Sequence, residues 1–135
     1  MRARFADWRT RLTAYLAEIG RQPFEEGVND CALFLAGGVA AMTGQDYAAP
    51  YRGRYTTTRG GLRILRNEGF ADHLALAEHH LKREPVAFAN AGDGAAVEWE
   101  GQLALGIIQG AQIYVLNEAG LALVPLSSAI CALEV

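Results

Sequence analysis

The sequence predicts an α+β domain, with helices first and an antiparallel sheet after them. Apolar residues recur at helical spacing up to about residue 83, whereas short apolar runs broken by Gly-containing turns fill about 92–135. Size agrees. The 135 residues, 51% apolar and 20% charged, suffice for one core, so 1–135 reads as a single domain.

Phe5, Trp8, Leu12, Tyr15, Leu16 and Ile19 share one helical face, with Arg and Glu between them, and Gly20 is the stop. An irregular stretch, Arg21 to Asn29, follows. Asn29-Asp30 then opens an apolar run from Cys31 to Thr43, closed by Gly44. Inside it, Gly37-Gly38 costs about 1 kcal/mol per residue against alanine, which predicts another backbone packed closely there. Beyond a loop from Gln45 to Thr58, a third helix is expected from about Thr58 to Asn67, with Leu62 and Leu65 inward and Gly69 ending it. Asp72 caps a fourth, which runs through Lys82 and stops before Pro85. Strands are expected from Ala95 to Trp99, Leu103 to Ile108, Gln112 to Leu116, Leu121 to Val124 and Ile130 to Val135. Turns at Glu100-Gly101, Gln109-Gly110 and Asn117 to Gly120 join the first four as an antiparallel meander.

Composition removes several function classes. A net charge of −3 gives no electrostatic case for nucleic-acid binding. No run approaches the ~18 apolar residues of a membrane helix. The N-terminus, Met1 to Asp7, breaks into charge too early for a signal peptide, so synthesis in the cytoplasm is expected. Cys31 and Cys131 do not read as a disulfide framework.

Chemistry concentrates at Cys31. In the first turn of a helix, free N–H groups and the positive end of the dipole lower a thiol pKa, as a nucleophile needs. The alternative is a small residue packed near a helix start. His73, His79 and His80 all fall on the fourth helix and read as an exposed face, and their spacing does not fit one metal ion. No metal site or cofactor is expected. Thr57 to Gly61 lacks the spacing of a phosphate-cradling loop and reads as a helix cap. Glu98 and Glu100 read as hairpin charge. Tyr51, Arg52, Arg54 and Tyr55 combine the two residue types enriched at protein interfaces, and mark either an interface or a loop packed on its own domain.

The segment from Phe24 to Ala36, with its Gly27 and Asp30-Cys31, resembles the nucleophile region of NlpC-like, papain-like cysteine peptidases. Gly92-Asp93 is similar to the Gly-Asp that opens their first strand. Leu103-Ala104-Leu105-Gly106-Ile107 is similar to the next strand, where active members carry Gly-His-(Val or Ala)-Gly-Ile. The resemblance therefore implies Cys31 as nucleophile but puts Ala104 in the position of the base histidine. The orienting polar residue falls near Leu116 or Asn117, and Asn117 is its candidate. A small family of phage and prophage tail-tip proteins is more similar still. It shares Asp30-Cys31-Ala32-Leu33-Phe34, Thr43-Gly44-Gln45-Asp46, Arg54-Tyr55-Thr56-Thr57, an Ala-Leu-Gly-Ile strand without histidine, and Gly120-Leu121 with Val124-Pro125-Leu126.

That second resemblance implies a structural or assembly protein of a long phage tail, in the tip or baseplate region, on a catalytically degenerate peptidase fold. Its partners would be distal tail, hub and receptor-binding proteins, with residual contact to peptidoglycan; its place would be the virion tail, after synthesis in the bacterial host. The alternative is an active peptidoglycan endopeptidase using Cys31 during entry. A host-derived adaptor is a third reading.

Overall fold

Six antiparallel strands form one sheet with four helices around it, as a computed structural model of the chain describes for residues 3–135. Met1 and Arg2, part of the charged N-terminal stretch, lie outside the described residues. The helices are α1 (Trp8–Ile19), α2 (Cys31–Thr43), α3 (Thr58–Asn67) and α4 (His73–His80). The strands are β1 (Lys82–Glu84), β2 (Gly94–Trp99), β3 (Gln102–Gln109), β4 (Gln112–Asn117), β5 (Gly120–Pro125) and β6 (Ala129–Glu134), in the spatial order β1-β6-β2-β3-β4-β5. The α+β expectation holds.

Two elements differ from the expectation, each for a physical reason. Helix α1 begins at Trp8 rather than Phe5, because the Phe5 N–H donates to the Met42 carbonyl (2.7 Å) and ties the chain to the end of α2. Helix α4 stops at His80 rather than reaching Lys82. Leu81 turns extended (φ −121°, ψ 136°) and buries its side chain, and Lys82–Glu84 then pairs with β6 through backbone alone. A strand spelled Lys-Arg-Glu carries no apolar signal, and charge is what a sheet edge tolerates. Strand β6 stands apart from the meander. It returns between β1 and β2, with a register shift between Ala96 and Val97.

Strand alternation makes two cores. Leu105 and Ile107 of β3, Leu116 of β4 and Leu133 of β6 face the helices, where α2 packs Phe34, Leu35, Val39 and Met42 against them. Ala104 and Ile108 of β3, with Val97, Ile113, Val115 and Ala132, form a smaller cluster on the opposite face. The glycine pair in α2 meets side chains rather than the expected backbone. A Cβ on Gly37 would collide with the Tyr15 ring (2.7 Å to Cζ), and one on Gly38 with Ile107 Cδ1. Tyr15 holds that position because its hydroxyl donates to the Phe34 carbonyl (2.8 Å).

A carboxylate pair, Asp93 buried and Glu84 half-buried, sits where the N-terminal segment meets the sheet. Asp93 accepts from Arg4 Nη2 (2.7 Å) and from the backbone N–H groups of Asn90 (2.9 Å) and Val135 (3.0 Å). Glu84 of β1 lies against it. Burial, then a hydrogen bond shared with Asp93 and that residue's negative charge, push the Glu84 carboxyl up to about 7; Glu134 adds to this and Lys82 opposes it. In the unfolded chain the group titrates near its ordinary 4.5. Between those values the folded state keeps a proton that the unfolded state has released, so stability falls as pH rises through the window. The difference in thermal midpoint between Glu84→Gln and the parent should therefore grow in favour of the variant from pH 4.5 to above 7. A difference that stays flat across that range would show that the pair does not share a proton.

Candidate functional site

Asp30 sets the geometry of the site. It sits just before α2 in extended conformation (φ −135°, ψ 177°) and is 1% exposed. Its Oδ1 accepts from the N–H groups of Ala32 (3.1 Å) and Leu33 (2.9 Å), capping the helix. Its Oδ2 accepts from the Gly27 N–H (2.8 Å) and the Tyr55 hydroxyl (2.5 Å). Four donors thus converge on one carboxylate, drawing together the loop before α2 and the loop before α3. Only glycine fits at 27: its φ is +84°, and a Cβ would run into the Tyr55 carbonyl oxygen.

Cys31 is therefore fixed as the first residue of α2, half-buried, and packed against the cluster that holds Ala104 and Val97. The expectation of a lowered thiol pKa is overturned. Burial pushes the Cys31 thiol up to about 12, with the charges of Asp30 and Glu26 adding to the rise and backbone N–H groups only partly opposing it. Magnitudes account for this. A helix N-terminus contributes at most about 2 kcal/mol, whereas burial moves a titrating group by as much as about 3–5 pKa units.

Ala104, expected at the base position, carries no titratable group. Ala104 is 6% exposed, lies opposite Val97 of β2, and lines the same cleft as Cys31. Leu116 is fully buried. Asn117 reaches the cleft, but its Oδ1 accepts from the Ala119 N–H (2.8 Å) and caps the β4–β5 turn.

One histidine departs from the exposed-face reading. His79 and His80 are exposed, with His80 stacked on Tyr47 at 5.4 Å. His73 instead points into the cleft, its Nε2 3.0 Å from the Leu103 carbonyl, beside Ala104. A carbonyl only accepts, so Nε2 carries the proton. Burial holds the His73 pKa below its ordinary value, which keeps the ring neutral at pH 7. Among the described residues no hydrogen bond joins His73 to Cys31. The sequence signal that could have found it is Asp72-His73 at a helix start, since a first-turn residue beside its cap faces whatever the preceding loop packs on.

The interface candidates also need correcting. Tyr51 is buried, Arg52 is paired with Asp46 (2.6 Å), and Tyr55 is held by Asp30. This loop packs on its own domain, and only Arg54 faces solvent, with Nη1 donating to the Pro50 carbonyl (3.0 Å). The cleft itself has a volume of about 830 Å³, with leucines at 62, 65, 76 and 103 among its apolar walls. Carboxylates of Glu26, Asp72, Glu100 and Glu118 line it against one guanidinium, Arg66. Among the described residues no group of three or more His, Cys, Asp and Glu could hold a metal ion, and no helix is long and apolar enough to cross a membrane.

A helix opening on a capped cysteine, packed on an antiparallel sheet, defines an NlpC/p60-type fold. Six chains of solved structures match this one. Among them is the crystal structure of the NlpC/p60 domain of the peptidoglycan hydrolase SagA, 16% identical, with a TM-score of 0.60 over 93% of this chain and 97% of that one. At that identity the likeness is one of fold. No curated protein matches the sequence. Within the fold class, residues 3–135 match the family described as Domain of unknown function (DUF6950), and the chain belongs to that family.

Two predictions follow from the geometry. Iodoacetamide should label Cys31 slowly at pH 7, with a rate that still climbs above pH 9, where an activated thiol would have reached its plateau well below pH 8.5. Asp30→Ala should lower the unfolding free energy by about 3 kcal/mol in urea titration, because it strands several buried donors, and Tyr55→Phe by about 1 kcal/mol. Equal losses for the two variants would contradict the four-donor arrangement.

Proposed function

We propose that this protein is a structural or assembly component of a long phage tail, at the tip or baseplate region, built on an NlpC/p60-type fold that no longer cleaves peptide bonds. The observation that carries the loss of catalysis is Ala104, which stands where active members of the fold present their base and packs in the same cluster as Cys31. A thiol titrating near 12 cannot supply a thiolate at neutral pH, and alanine can neither take its proton nor return one to a leaving amine. The placement in the tail rests on the resemblance of Asp30-Cys31-Ala32-Leu33-Phe34 and the histidine-free Ala104-Leu105-Gly106-Ile107 strand to tail-tip proteins. In that role it would be made in the bacterial host and end in the virion, among distal tail, hub and receptor-binding proteins.

One observation favours a second reading. His73 brings an imidazole into the cleft beside Ala104, and its free Nδ1 is the acceptor a base requires. An endopeptidase would then use Cys31 with this displaced base and the N–H groups at the start of α2 for the oxyanion.

Complementation of a phage lacking the gene separates the two. Under the structural reading, parent and Cys31→Ser should restore equal plaque titres, and the protein should be found by mass spectrometry in purified tails. A Cys31→Ser protein that enters the particle yet fails to restore infection would establish the enzyme instead. Absence of the parent protein from tails would remove the tail assignment.

A further inference from the structure

Eleven of the twelve basic residues are arginine, Lys82 being the exception. Four of them are matched to carboxylates: Arg4 to Asp93, Arg11 to Asp7, Arg52 to Asp46 and Arg83 to Glu78. Among the described residues Arg9, Arg21, Arg54 and Lys82 are in no such pair, and neither are three that share one helix. Arg59, Arg63 and Arg66 are exposed, stand at i, i+4 and i+7 on α3, and among the described residues form no ion pair, although Glu68 lies just past the helix end. With Asn67 they line one surface hollow of about 390 Å³.

This placement opposes local stability twice over. Like charges three and four residues apart repel along a helix face. Arg59 also occupies the first turn, where the macrodipole is positive and where α3 has no acidic residue to offset it. The inward face explains why the helix is there but not why its outer face is so charged. Leu65 is buried, and Gly61 lets the backbone approach the Tyr55 ring, to which a Cβ would stand 3.1 Å away. Three like charges along one helix face, around one hollow, are a local conflict of the kind that functional sites carry.

We propose that the outer face of α3 is a binding site for a phosphate-bearing polyanion, held by Arg59, Arg63 and Arg66. Guanidinium forks engage phosphate oxygens two at a time, which a point charge does not. The three side chains span about 10 Å along the helix, so the ligand presents successive phosphates rather than one. Nothing in this site depends on the tail placement or on Cys31.

Binding should be measured by calorimetry with inorganic polyphosphate across a salt series, beside poly-glutamate and vesicles of phosphatidylcholine with or without phosphatidylglycerol. The parent should bind polyphosphate with a slope of about −2 in log affinity against log salt, as three phosphate contacts require. Replacing all three arginines with glutamine should abolish binding while the thermal midpoint holds or rises, and Arg63→Gln alone should weaken it roughly tenfold. Replacing all three with lysine should keep most of the slope but lose several-fold in affinity. Preference for phosphatidylglycerol vesicles over polyphosphate at matched phosphate would place the ligand on a membrane, and the reverse in a soluble polymer. Equal affinity for poly-glutamate overturns the phosphate assignment. Undiminished polyphosphate binding by the glutamine variant, or none by the parent at low salt, overturns the site.

Discussion

Asp30 is the residue on which the rest of the structure depends. A carboxylate that is almost wholly removed from water is stable as an ion only if donors replace its hydration, and here four do. Two of them belong to the first turn of α2. The other two belong to the loop at Gly27 and to Tyr55, twenty-five residues further on. The charge thereby locks together segments that share no regular hydrogen bonding, and the Gly53 N–H adds a backbone bond to the Gly27 carbonyl (2.8 Å) at the same junction. What looks like one half of a nucleophile motif is first of all the knot that holds the helical layer together.

The thiol illustrates a competition that sequence position alone decides wrongly. A helix start favours the thiolate, and the same cap that creates the start brings a carboxylate next to the sulfur. Glu26 adds a second negative charge, itself driven toward protonation by its burial and by Asp30 and Glu118. In an active Cys-His pair an imidazolium would oppose both. Without one, burial and two carboxylates act in the same direction, and the dipole is outweighed.

How much of this was legible in the sequence depended on whether a residue's role is local. The bounds of α2 follow from Asp30 and Gly44, and those of α3 from Thr57, because capping is a matter of neighbours within a few positions; Thr57 Oγ1 accepts from the Gly60 N–H as its spacing implies. Long-range choices were hidden. Nothing in Lys82–Glu84 announces a strand, and nothing in Ala129–Glu134 says it will lie between β1 and β2, because both are decided by pairing partners rather than by composition. Tyr51, Arg52 and Tyr55 have the composition of an interface, yet they are consumed by Glu68-side packing, Asp46 and Asp30, partners no local pattern reveals. His73 was misplaced for the same reason: helical spacing gives a face, but only the packed sheet shows what that face meets.

Position 104 belongs both to the smaller core and to the cleft. Ala104 packs with Ala95, Val97, Ile113, Val115 and Ala132, all nearly without exposure, and it also lines the cleft that Cys31 borders. His73, meanwhile, has taken the Leu103 carbonyl from the opposite side of the cleft. The apolar half of the site thus serves the core, its polar half serves the cap, and a wide cleft lined by more carboxylates than guanidinium groups stays open between them.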